Sequence, residues 1–135
     1  MIIRAHRFHG YNALRNVYSR GQTSRGQLVA IKYLANPRRG SYRAAVVVSR
    51  KVHKSAVVRN RIRRRIYEII RNHETRMPVA HDIVVTAFSE QLATLPAGEL
   101  VSQLQTALER AGIVATNTSA NGGEDRGIVD TKKGV

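Results

Sequence analysis

The sequence contains no cysteine, which excludes disulfide scaffolds, zinc knuckles and thiol nucleophiles together. Tryptophan is also absent, and the aromatics amount to 5 Tyr and 2 Phe. The three prolines, Pro37, Pro78 and Pro96, each mark a break between elements. No apolar run approaches the roughly 18 residues that a membrane span needs. The stretch Met1 to Arg7 is not followed by an apolar h-region, so no secretory signal is expected and a cytoplasmic location is. The most informative scarcity is of acids. Residues 1–67 hold 17 Lys and Arg and no Asp or Glu, whereas residues 68–135 hold 6 Lys and Arg against 9 acids.

What remains is a 135-residue chain with 42% apolar residues, a net charge of +14 and a pI near 11.4. That length suits one domain with a modest core. A half-chain this basic repels itself, and a polyanion relieves the repulsion. Nucleic acid is the expected partner, because each neutralised phosphate releases condensed counterions. Solubility alone would be served as well by mixed charge.

Residues 8–20 read as a short helix, with Tyr11, Leu14 and Tyr18 at i, i+3 and i+7, Val17 beside them and Gly21 as the stop. The segment at 21–26 reads as a turn or irregular strand; it lacks the Gly-Lys-Ser/Thr ending of a phosphate loop. Leu28 to Leu34 alternates as a strand, and Asn36-Pro37-Arg38-Arg39-Gly40 is a basic turn. The run Ala44 to Val48 has no polar alternation and predicts a central strand buried on both faces. A helix follows from the cap Ser55 to about Asn72. Asp82 to Ala87 is a further strand, and Pro96 opens a last helix that buries Leu100, Leu104, Ala107, Leu108 and Ala111 and closes at Gly112. Residues 1–113 are expected to form the domain. Residues 114–135, without apolar periodicity, are expected to be a disordered tail. The fold class is α+β: one small sheet covered by helices, part of it open as a cleft.

The segment from Ala56 to Arg71 is the richest in function. At about 100° per residue, with Val58 at zero, Ile69, Ile62, Ile66 and Ile70 fall between about 20° and 120° and form the buried stripe. Arg63, Tyr67, Asn60, Arg71 and Arg64 fall between about 140° and 240° and are expected to face away, with Arg59 at the stripe's edge. Guanidinium groups make planar bidentate bonds to phosphate and stack on bases. No acid stands at i±3 or i±4 to pair with Arg59, Arg61 or Arg63, so an external polyanion explains their crowding better than a solvated face.

Val48-Ser49-Arg50-Lys51 followed by Ala56-Val57-Val58-Arg59-Asn60-Arg61-Ile62-Arg63-Arg64 resembles the signature of the bacterial ribonuclease P protein family, a strand ending in Ser-Lys-Lys and then an Arg-Asn-Arg helix. The resemblance extends over roughly residues 7–113. It implies the order α-β-β-β-α-β-α with a left-handed crossover, against the general right-handed rule. It also implies that the chain is the protein subunit of ribonuclease P, assisting 5′-end maturation of precursor tRNA while a catalytic RNA subunit does the chemistry. The partners implied are that RNA and precursor tRNA, with no membrane and no DNA. Magnesium is expected through the RNA, with no protein ligand, and no residue of the chain is expected to be catalytic.

On this reading Arg50, Lys51, Arg59, Asn60, Arg61, Arg63, Arg64 and Tyr67 bind RNA. Two positions depart from the family pattern: Arg50 replaces a lysine, and Tyr67 stands where the family often has a basic residue, so its contact is expected to stack. Phe8, Tyr18 and Tyr33 are the candidates for a cleft holding the 5′ leader, since stacking tolerates any base sequence; each is equally a possible core aromatic. His6, His9, His53, His73 and His81 are scattered, and His6-x-x-His9 is read as solvated rather than as a metal pair. The alternative reading is a noncatalytic ribosomal-type RNA-binding protein. A helix-turn-helix reading lacks the paired helices before the Arg-rich one.

Overall fold

The computed structural model describes residues 11–37 and 40–115. The expectations placed on His6, Phe8, His9, Arg38, Arg39 and the tail beyond residue 115 lie outside the described residues. Helix α1 (Tyr11–Arg20) is followed by strands β1 (Gln22–Arg25), β2 (Val29–Ala35) and β3 (Arg43–Val48), helix α2 (Ala56–Asn72), strand β4 (His81–Ala87) and helix α3 (Ala97–Arg110). This is the α-β-β-β-α-β-α order. The sheet order is β1-β2-β4-β3. Strands β1, β2 and β4 pair antiparallel. Strand β3 runs parallel to β4, with α2 as the crossover between them.

Local chemistry sets the ends of the helices. Ser55 caps α2, its Oγ accepting from the Val58 amide, as a short hydroxyl at that position does best. At the end of α3 the Gly112 amide donates to Glu109 and the Ile113 amide to Leu108, a Schellman pair. Gly112 there has φ of 77°, which glycine adopts without penalty. Gly21 stops α1 for a different reason. A Cβ on it would lie 2.5 Å from the Val17 carbonyl oxygen and 2.7 Å from that of Tyr33, so only glycine fits between helix end and strand.

The two faces of the sheet are covered unequally. On one, Val29, Ile31, Ala44, Val46, Val48, Ile83, Val85 and Ala87 pack with Ile62, Ile66, Ile69 and Ile70 of α2 and Leu100, Leu104 and Leu108 of α3. On the other, the described side chains of α1 contribute Val17 and Leu14, against Ala45, Val47 and Val84. Among the described residues, much of that second face is therefore bare.

Three expectations are corrected. The segment at 21–26 contains a regular strand, β1, because Gln22 to Arg25 pair with Tyr33 to Ala30. Strand β3 is largely buried on both faces as expected but lies at the sheet edge, not at its centre; α2 and α1 cover it from either side. The core runs one residue past 113, with Val114 buried and the Ala115 amide bonded to the Arg76 carbonyl at 2.9 Å.

Candidate nucleic-acid interface

The arginines of α2 fall into two groups with different tasks. Arg59 Nη1 donates to the carbonyls of His53 at 3.0 Å and Lys54 at 2.9 Å, tying down the connection that enters the helix. Arg63 donates to Asn60 Oδ1 at 2.6 Å and reaches the Val48 carbonyl at 3.5 Å, bracing the end of β3. Arg65, which the sequence did not single out, forks onto the carbonyls of Leu92, at 2.7 Å, and Leu95 and so holds the segment after β4. Arg61 and Arg64 are exposed, and among the described residues neither has a hydrogen-bond or ion-pair partner. Arg50 and Lys51 are exposed on the β3–α2 connection. The three braced arginines thus fix the frame on which the unengaged cations are displayed.

Tyr67 is corrected. Its side chain is 8% exposed, and its hydroxyl accepts from the Val46 amide at 3.1 Å. Because α2 lies over the edge of the sheet, its buried arc widens beyond the isoleucine stripe to take in Tyr67. The ring closes the outer edge of β3 and is not available for stacking. The exposed face turns correspondingly towards Asn60, Arg61, Arg64 and Arg71.

The sheet face beside α1, largely bare among the described residues, is the second element of the site. Side chains alternate along a strand, and Ser24 reaches towards α3 with its Oγ on the Ala107 carbonyl, so Thr23 and Arg25 point to the α1 side. By the pairing register they share that face with Lys32, Ala30 and Thr86. Tyr18 is 43% exposed. Lys32 Nζ donates to its carbonyl at 3.1 Å and stands 5.9 Å from its ring centre. Phe88 is 44% exposed, with the Arg25 guanidinium 5.5 Å from its ring centre. Two open rings, each beside a cation, are what sequence-tolerant binding of single strands uses. Phe88, Lys32 and Arg25 were not singled out from sequence; Phe88 directly follows β4, and its facing depends on the register.

Tyr33 does not join them. It pairs across the sheet with Ile83 and packs with the α2–α3 core, so it lies on the opposite face. Its hydroxyl donates to Gln22 Oε1 at 3.1 Å.

Most of the described acids are engaged within the fold. Asp82, buried, takes a two-pronged contact from Arg43 at 2.8 and 3.0 Å and a third bond from Asn36. The bond to Asp82 raises the Arg43 pKa above its usual value, against the opposing effect of burial. Glu74 accepts from the Tyr42 hydroxyl at 2.9 Å; burial first, then Glu74, push that phenol well above its usual range. Arg76 and Glu109 pair at 2.9 Å. Among the described residues, little negative charge is therefore left free to oppose the cations on the two surfaces.

The sequence profile of the family described as Ribonuclease P matches residues 3–112. The ribonuclease P protein component of Thermus oshimai is 37% identical over 105 residues, covering 78% of this chain and 64% of that protein. That of Brevibacillus brevis is 29% identical over 123 residues, covering 90% and 95%. The chain spans between about half and two thirds of the length of the Thermus relatives it matches. In fold it is similar to the Staphylococcus aureus RNase P protein, with a TM-score of 0.73 at 23% identity, covering 82% of this chain and 99% of that one.

Proposed function

This chain belongs to the ribonuclease P protein family, and from that membership we propose that it is the protein subunit of the endoribonuclease that matures the 5′ end of precursor tRNA. Arg50, Lys51, Asn60, Arg61 and Arg64 dock on the catalytic RNA, with Arg59 and Arg63 positioning them. The sheet face with Tyr18, Lys32, Arg25 and Phe88 holds the single-stranded 5′ leader. The observation that carries this reading is the pairing, among the described residues, of a ridge of unengaged guanidinium groups with a thinly covered sheet face that carries open rings beside cations.

The division of labour follows from the chemistry of these groups. Guanidinium and phenyl groups bind phosphates and bases but do not exchange protons near neutral pH. The protein tightens substrate binding and neutralises charge, and the bond-breaking step belongs to the RNA. Magnesium takes carboxylate and phosphate oxygens. The guanidinium, ammonium, amide and aromatic groups of these surfaces do not fit it, so the ion goes with the RNA in this proposal. No described helix is long and apolar enough to cross a membrane; a cytoplasmic site of action, where tRNA precursors are made, goes with the proposal. The family assignment favours this reading over the ribosomal-type alternative.

Binding of precursor and mature tRNA by the assembled particle tests the leader track. Tyr18→Ala and Phe88→Ala should each weaken precursor binding by about tenfold, because a stacked base contributes about 1–3 kcal/mol, and should leave mature tRNA binding unchanged. Equal weakening of both substrates would remove the rings from the leader path.

A further inference from the structure

Between the β1–β2 turn at 26–28 and the outer face of α3 lies an open groove of about 580 Å³, with Arg25, Gln27, Glu99, Gln103, Thr106 and Arg110 in its walls. That volume lies in the range of sites that take a single small ligand, about 300–1,000 Å³. Glu99, Gln103, Thr106 and Arg110 follow one another at spacings of four, three and four residues, which puts them on one stripe of the helix. The stripe lies outside the buried set Leu100, Leu104, Ala107 and Leu108. The Ser24 hydroxyl, bonded to the Ala107 carbonyl at 3.2 Å, holds β1 against α3 and so fixes the groove's width. Gln27, Gln103 and Arg110 have no hydrogen-bond or ion-pair partner among the described residues, so their polar groups are open to a ligand.

The chemistry of the walls narrows the ligand. Side-chain amides offer a donor and an acceptor side by side, the pattern that reads a base edge. Guanidinium groups at Arg25 and Arg110 suit phosphates. A carboxylate such as Glu99 repels a phosphate or an acidic peptide but accepts from the exocyclic amine of a base. Arg25 is shared between the two surfaces: its guanidinium stands over Phe88 and the same residue lines the groove. A strand lying on that face reaches the groove by following Arg25 round the edge of β1.

We propose that this groove is a second seat for single-stranded RNA, taking leader nucleotides that run beyond the sheet face. The inference rests on the reading of the sheet face as the leader's track. Because the chain has no cysteine, Gln103→Cys and Phe88→Cys each create a unique thiol for a photo-crosslinker in the assembled particle. The probe at 88 should mark leader nucleotides nearer the cleavage site, and the probe at 103 nucleotides farther along the same leader. Cross-links from 103 only to the body of tRNA, to the catalytic RNA or to a protein would overturn the groove proposal while leaving the sheet track standing. Silence at both positions would remove both. A complementary experiment uses precursors of stepped leader length. The Gln103→Ala, Arg110→Ala double variant should bind short leaders like the parent protein and lose about tenfold on long ones, as expected when a hydrogen bond to a charged group is removed. Identical affinities at every length, or uniform weakening that includes mature tRNA, would contradict the proposal.

Discussion

Without the Tyr67 hydroxyl, the Val46 amide on the outer edge of β3 loses its acceptor. A buried amide stranded in this way costs about 1–3 kcal/mol. Tyr67→Phe should therefore lower the unfolding free energy by about that amount in a denaturant titration, with the RNA affinity of the folded variant unchanged. Weakened RNA binding at full stability would put the ring back at the interface. The sequence placed Tyr67 on the wrong side of α2 because a helical wheel locates the centre of the buried arc, not its width. The width depends on α2 overhanging a sheet edge, which is a tertiary relation. Gly21 was legible as a helix stop, but the crowding by the Val17 and Tyr33 carbonyls that requires glycine was not. Tyr18 and Tyr33 were both cleft candidates in the sequence; Tyr18 is exposed on α1 beside Lys32, whereas the register places Tyr33 on the opposite face of the sheet.

Helix α2 concentrates the separation between residues that build the surface and residues that form it. Arg59 holds two carbonyls of the connection, whereas Arg61 and Arg64 hold nothing in the described fold. Arg59→Ala should accordingly lower thermal stability as well as affinity for the catalytic RNA. The Arg61→Ala, Arg64→Ala pair should leave the melting temperature in place. It should also flatten the salt dependence of RNA binding, by up to about 0.7–0.9 in log–log slope for each phosphate that is no longer neutralised. An unchanged slope in the pair would mean that this ridge does not meet phosphate. At this scale most of the fold was readable. The cap Ser55, the span of α2, the apolar run of β4 and the Gly112 closure of α3 all follow from local rules. Strand β1 was harder, since Gln-Thr-Ser-Arg has no apolar alternation and becomes a strand only by pairing with β2. The edge position of β3 was hidden because a parallel strand covered on both sides carries the same unbroken apolar run as a central one.

At the scale of the molecule, the acid-free first 67 residues supply α1, β1 to β3 and all but the last residues of α2, and so both the guanidinium ridge and most of the proposed leader track. The acids come later and, where described, are largely bound up with their neighbours: Asp82 with Arg43, Glu74 with Tyr42, Glu109 with Arg76. The charge asymmetry made a polyanionic partner legible in the residues alone. It did not point to the sheet face proposed for the leader, because that proposal rests on one face being thinly covered among the described residues. On the proposed reading, this chain binds and positions RNA while its RNA partner cuts. The most direct measurement is cleavage of precursor tRNA at low magnesium by the RNA-free protein, by the catalytic RNA alone and by the two together. Intact precursor is expected with the protein alone, and cutting at the mature 5′ end only when both are present. Metal-dependent, 5′-specific cleavage by the protein with all RNA removed would contradict it.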